Sequence, residues 1–304
     1  MVNLKNFKIS IKKNLGISIP FFEDVFQHII ISNQNFSRSK FLFKCAEIFR
    51  TPDQKIIDIG TTLEFLYTAT SLHRNIDEFD NSRRMYKYVN ELLGSEASVL
   101  IGDYLLSKSF KILTHLGNLD ILESVSLATK NISRGQVMEI SETILLASPR
   151  FWYKVIRYKI AGLYGAGAQC AAHWAKASCE TASNLFAFGE HFGIAAQIKE
   201  DIAELGDKKI IQKKLKNKEL WCPISFLVHD CLMEKDRTEI LKKFKKDFDI
   251  KEMSEEIYFL LKKYELEKKL RFEADMELNK AKFFLEKLEI DTKKVRSLTK
   301  FVNI

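Results

Sequence analysis

Two clusters of side chains in this sequence have the types and spacing for chemistry on charged groups. Glu200, Asp201 and Glu204 follow the apolar run Phe192-Gly193-Ile194-Ala195-Ala196-Gln197-Ile198. A helix there aligns Gln197 with Asp201 and Glu200 with Glu204, because residues four apart share a face. Three carboxylates at the polar end of a buried helix can hold a hard cation such as Mg²⁺ through oxygen. A solvated acidic helix end looks the same in sequence, so both readings stay open. The second cluster is His73-Arg74-Asn75-Ile76-Asp77-Glu78, followed by Arg83 and Arg84. Leu63, Leu66, Thr70, His73 and Asp77 step by three and four, which places them on one helix face that turns from apolar to polar.

Long helices must position these groups. The chain has 304 residues, 46% of them hydrophobic, and only 12 Gly and 4 Pro, with Pro52, Pro149 and Pro223 far apart. Such sparse punctuation predicts uninterrupted helices and an all-α protein. Ser95 to His115, Gln136 to Ala147, Phe151 to Cys179 and Thr181 to Leu205 read as further long helices. Gly162, Gly165 and Gly167, with Ala161, Ala166, Ala168, Ala171 and Ala172, form a small-residue surface suited to close helix contact. From Glu255 to Glu289 the apolar stripe narrows among charged residues, as in an outer helix or a helical hairpin. Without an internal repeat or low-complexity linker, residues 20–304 read as one domain preceded by a basic arm over residues 1–19.

Composition narrows the partners. No window of about 18 residues is apolar and uncharged, so no membrane span is expected. Lys5, Lys8, Lys12 and Lys13 precede the first acid, Glu23, a bias shared with organelle transit peptides, although Arg and Ser are scarce. A cytoplasmic location is the expectation, with a mitochondrial or plastid matrix as the alternative. Cys45, Cys170, Cys179, Cys222 and Cys231 include no CxxC pair and no zinc spacing, and read as small apolar side chains in a reducing compartment. The net charge of +8 is spread over many segments. Its densest run is Lys208, Lys209, Lys213, Lys214, Lys216 and Lys218, read as a solvated loop, with an anion or acidic-partner site as the alternative. No aromatic residues interleave those lysines, so no nucleic-acid partner is expected.

The order of these segments resembles the trans-isoprenyl (polyprenyl) diphosphate synthase family. That family's pattern runs from GGKRxRP through HDDxxD and a following RR, then GDYLL, KTAxL and GxAFQIxDDxxD. Here the corresponding stretches are Arg38-Ser39-Lys40-Phe41-Leu42-Phe43-Lys44, His73 to Arg84, Gly102-Asp103-Tyr104-Leu105-Leu106, Lys159-Ile160-Ala161-Gly162-Leu163, and Gly193 to Glu204. The resemblance is strongest over residues 20–230. It implies an isoprenoid synthase bundle of long helices around a central cavity.

It also implies roles. In that family two Asp-rich motifs bind Mg²⁺ ions that grip an allylic diphosphate. Departure of the diphosphate leaves an allylic cation, which the double bond of isopentenyl diphosphate attacks before a proton leaves. Carried over, Lys159 and Gln197 stand at catalytic positions, and Lys40, Lys44, Arg83 and Arg84 at diphosphate-binding ones. Glu200, Asp201 and Glu204, with Glu78, remain as metal ligands. Arg74 and Asn75 replace the first two metal-binding aspartates, and the family's tunnel-length positions are Ala69 and Thr70. Departures are extensive: Phe41 and Phe43 stand for Arg, Tyr67 for His, Ile160 for Thr and Ala196 for Phe.

A guanidinium where a divalent ion should sit both repels it and removes its ligand. The resemblance therefore implies a non-catalytic or weakly catalytic subunit of a heteromeric prenyltransferase, also like the second subunit of decaprenyl diphosphate synthases. An active enzyme relying on the second acidic motif, and a prenyl-diphosphate-binding or structural protein, are the alternatives. Mg²⁺ at reduced stoichiometry, or none, is the cofactor expectation. Isoprenoid diphosphates and a dimer, with itself or with an intact paralogue, are the partner expectations, and the Ser95 to His115 helix the expected assembly surface.

Overall fold

The computed structural model describes residues 4–16, 36–74, 84–140, 147–244, 249–288, 290 and 292–302. No strand occurs among the described residues. The helices are α1 (Leu4–Leu15), α2 (Ser37–Glu47), α3 (Gln54–Arg74), α4 (Arg84–Leu116), α5 (Leu119–Ile140), α6 (Pro149–Ile156), α7 (Gly162–Ala175), α8 (Cys179–Ala203), α9 (Lys208–Lys216), α10 (Cys222–Phe226), α11 (Glu234–Phe244), α12 (Ile250–Lys263), α13 (Leu266–Glu286) and α14 (Thr292–Val302). A π-helical turn, Arg157–Ala161, joins α6 to α7, and a second, Leu227–Cys231, follows α10.

Short polar side chains start these helices by accepting the N–H groups that the first turn leaves unpaired. Asp53 accepts from Lys55 at 2.9 Å before α3, and Asn118 from Ile121 at 3.1 Å before α5. Ser148 accepts from Phe151 at 3.2 Å, with Pro149 in the first turn of α6. Asp249 accepts from Lys251 at 2.7 Å and Glu252 at 3.1 Å before α12. Left-handed residues follow the ends: Gly117 (φ 62°) after α4, Lys176 (φ 58°) after α7 and Glu265 (φ 46°) after α12.

Several expected elements are redrawn. The helix expected over Gln136 to Ala147 is the tail of α5, whose apolar face already runs through the buried Ile121, Val125, Ala128 and Ile132 after the Asn118 cap; residues 141–146 lie outside the described residues. Within α4, Gly94 adopts φ 78° and ψ 172°, a conformation open to glycine, so the regular helix runs on from Ser95 as the periodicity implied. The expected Phe151 to Cys179 helix is interrupted by the π turn and ends at Ala175. Of the two readings for Glu255 to Glu289, the hairpin is observed, α12 turning at Tyr264 and Glu265 into α13. The lysine run expected as a loop is largely helical, as α9.

Packing divides the chain into two compact units. The first comprises Met1–Lys130, Gly162–Glu190 and Lys282–Ile304, and the second Asn131–Ala161 and His191–Ala281. In the first, α7 and α8 touch backbone to backbone: a Cβ on Gly189 would lie 2.6 Å from the Tyr164 carbonyl oxygen, and one on Gly165 2.9 Å from that of Phe186. Of the small residues singled out in the sequence, Gly165 serves this contact, while a Cβ on Gly167 would meet Leu63 of α3 at 3.1 Å. Also in the first unit, α1 packs inward, with Phe7 edge-on to Phe43 at 5.2 Å between centroids. The second unit closes on Trp152, Ile198, Leu215, Trp221, Ile257 and Leu270. Each fully buried aliphatic side chain contributes about 1.5–3 kcal/mol, enough to hold polar groups nearby in fixed places.

Candidate functional site

In the first unit, His73 near the end of α3 packs into α4. Its Nε2 lies 3.3 Å from the Val99 carbonyl oxygen and 3.3 Å from an Asp103 carboxylate oxygen. A Cβ at residue 102 would come within 2.2 Å of that nitrogen, so Gly102 is what admits the imidazole. One turn earlier Ala69 is buried, and Thr70 turns its hydroxyl back onto the Leu66 and Tyr67 carbonyls at 2.9 and 3.1 Å.

The basic stretch of α2 is largely built into the protein. Phe41 stacks on Phe188 (5.3 Å) and meets Tyr164 edge-on, so one of the two positions where the resemblance places Arg is aromatic core. Phe43, at the other, packs against Phe7. Arg38 lies over the Tyr67 ring at 3.3 Å from its centroid, a cation–π contact. Ser39 donates through its N–H (3.1 Å) and hydroxyl (2.8 Å) to Glu64, which is 2% exposed. Burial raises the Glu64 pKa, and the nearby Arg38 charge opposes that rise. Lys44 pairs with Glu47 at 2.8 Å, while Lys40 is half-buried.

In the second unit, the three carboxylates after α8's apolar run have separate fates. Glu200 is exposed. Asp201, 3% exposed, accepts from the Gln197 amide at 2.7 Å and from the Cys222 backbone N–H at 3.1 Å, tying α8 to the start of α10. Burial pushes its pKa up to about 7, against the pull of the Lys214 ammonium. Glu204 lies 3.3 Å from Lys214, which also contacts Glu219 at 3.0 Å. Burial alone would depress the Lys214 pKa, but Glu219, Glu204 and Asp201 outweigh it and hold the ammonium above its usual range. Lys159 sits in the π turn, where its ammonium pairs with the Glu139 carboxylate of α5; the side chains are only 8% and 18% exposed.

Of the expected site residues, Asn75, Glu78 and Arg83, and the side chains of Arg74 and Arg84, lie outside the described residues. Among the described residues, no three His, Cys, Asp or Glu side chains are grouped to hold a metal ion. The donors around Asp201 do not fit Mg²⁺. Its oxygens are engaged by an amide and a backbone N–H, and a protein cation faces Glu204. Mg²⁺ requires several oxygens at octahedral positions instead.

The sequence profile of the Polyprenyl synthetase family matches residues 19–261. The chain belongs to the polyprenyl synthetase family. Among related polyprenyl synthetases, octaprenyl diphosphate synthase of Escherichia coli is 32% identical over 152 residues, covering 49% of this chain and 46% of that protein. Solanesyl diphosphate synthase 2, a chloroplastic protein of Arabidopsis thaliana, is 26% identical over 147 residues, or 48% and 35% of the two chains. These matches span about half or less of the length of such relatives. The crystal structure of a decaprenyl diphosphate synthase from Rhodobacter capsulatus superposes with a TM-score of 0.86 at 24% identity, covering 99% of this chain and 94% of that one. That likeness shows the fold, the all-α fold of polyprenyl synthases. No described helix is long and apolar enough to cross a membrane.

Sequence reasoning missed Glu139, Lys214, Glu219 and Glu64. Lys214 was hidden in a run whose neighbours Lys208, Lys209 and Lys216 are indeed exposed. Its signal was position: in α9 it follows Ile210 and Ile211 by four and three residues, on the side that leads to the core.

Proposed function

We propose that this polyprenyl synthetase family member is a non-catalytic or weakly catalytic subunit of a trans-prenyltransferase, paired with an intact paralogue or with itself. The observation that carries the reading is the state of the second acidic motif. Asp201 is committed to the Cys222 N–H, and Lys214 supplies the positive charge that Glu204 faces. With Arg74 and Asn75 in the first motif, neither acidic region then assembles the divalent ions that draw charge off a departing diphosphate, the largest contribution to such catalysis.

Exposed apolar side chains support the assembly part of the reading. On α4 Leu100 is 68% exposed and Phe110 38% exposed, although the neighbouring Leu105 and Ser109 are core. Closed homodimers bury the same patch on both subunits, and a paralogue with a like surface can replace one copy.

The test is chain elongation from an allylic diphosphate and isopentenyl diphosphate with Mg²⁺, first with the protein alone and then mixed with an intact paralogue. The reading predicts little turnover alone and altered rate or product length in the mixture. Robust Mg²⁺-dependent turnover by the single chain would overturn it.

A further inference from the structure

We infer that Glu139 is an internal stand-in for an anionic ligand on Lys159, an intramolecular counter-ion that a diphosphate must displace. The inference rests on the family resemblance only in placing Lys159 at a catalytic position, and adds that its ammonium is the group that meets an anionic ligand. Glu139 itself belongs to no motif carried over from the family resemblance.

The geometry is built by one helix face. Gly135 and Glu139 lie four residues apart on α5, hence on the same side. At Gly135 the π turn approaches so closely that a Cβ would meet the Lys159 backbone nitrogen and its Cβ, each at 3.1 Å. This contact fixes where the Lys159 stem leaves the backbone, and one turn further along α5 the Glu139 carboxylate receives the ammonium. π turns are rare within helices and recur at functional sites. This one carries a lysine whose charge is already matched.

A carboxylate and a phosphate oxygen make the same kind of charge-assisted hydrogen bond to an ammonium, so the two compete for one donor. Because both side chains are mostly shielded from solvent, screening by water and salt is weak and the competition is felt in affinity. Glu139→Gln keeps the shape and an acceptor oxygen but removes the competing charge.

The probe is inorganic pyrophosphate, titrated calorimetrically into the full chain in metal-free buffer. Glu139→Gln is expected to bind it about tenfold more tightly than the wild type, and the gain should vanish in the Glu139→Gln/Lys159→Gln double variant. Thermal melting of each variant checks that the fold is kept, and Glu139→Ala, which removes the acceptor as well, should show the same gain. Equal affinity in wild type and Glu139→Gln, while Lys159→Gln weakens binding, would overturn the inference and leave Lys159 as the anion ligand. Wild-type binding untouched by Lys159→Gln would instead overturn the role assigned to Lys159. Absence of pyrophosphate binding in both wild type and Glu139→Gln would overturn the inference as well.

Discussion

The Asp201 carboxylate accepts the backbone N–H of Cys222 at 3.1 Å, so an acidic residue at a metal-ligand position in the family pattern works here as the anchor of another helix. Asp201→Ala would strand that N–H in a buried setting, an expected loss of about 1–3 kcal/mol in folding stability. Asp201→Asn retains an acceptor and should cost much less. Urea denaturation of both variants checks the ordering, and an alanine variant as stable as wild type would contradict the anchoring role.

The same group sets a pH dependence. Its folded pKa, about 7, stands above the unfolded value of 3.8, so between these limits the folded state binds more protons. Stability attributable to Asp201 therefore falls as pH rises from about 4 to 7, and is greatest in the acid part of that window. The measurement is the difference between wild type and Asp201→Asn across this range, with wild type losing ground toward neutral pH. A flat difference, or the opposite slope, would show that the carboxyl is not held against its charge.

Lys214 neutralises Glu204 and Glu219 from a half-buried position, its side chain 16% exposed. Replacing it with methionine leaves those carboxylates facing one another, an expected destabilisation on the order of 3 kcal/mol. Millimolar Mg²⁺ should restore part of the lost melting temperature in Lys214→Met while leaving wild type unchanged. Equal Mg²⁺ response in the two proteins would show that the ammonium does not occupy a cation's role.

Gly102 and His73 make a further pair open to test. Gly102→Ala drives a methyl group into the imidazole, with an expected cost of about 1–3 kcal/mol. The double variant His73→Ala/Gly102→Ala should recover most of it. Additive losses would place the strain elsewhere.

The assembly surface predicts that Leu100→Glu weakens association without disturbing the fold, since this side chain is largely exposed. Sedimentation velocity, alone and with an intact paralogue, reads the effect. A wild-type monomer in both settings would remove the dimer from the account.

What was legible in the sequence was whatever depends on neighbours along the chain. The helix from Ser95, the small-residue contact of α7 and the polar end of α8 follow from spacing of three and four, and the ordered motifs supplied the family. Charge pairs between distant segments were not legible. Glu139 meets Lys159 across twenty positions only because Gly135 lets the π turn close in, and no periodicity announces a π turn. Lys214 was masked by lysines that share its sequence run but face solvent. The arginines expected near Lys40 were seen to be Phe41 and Phe43, yet their place in an aromatic core emerges only once α1, α7 and α8 surround α2.

The most direct test of the central claim, that protein groups have taken the place of divalent ions at the second acidic motif, is Mn²⁺ binding followed by electron paramagnetic resonance. With wild-type protein the account predicts the spectrum of free Mn²⁺, undiminished as protein is added. Stoichiometric Mn²⁺ binding by the wild type that is lost in Asp201→Asn would contradict it.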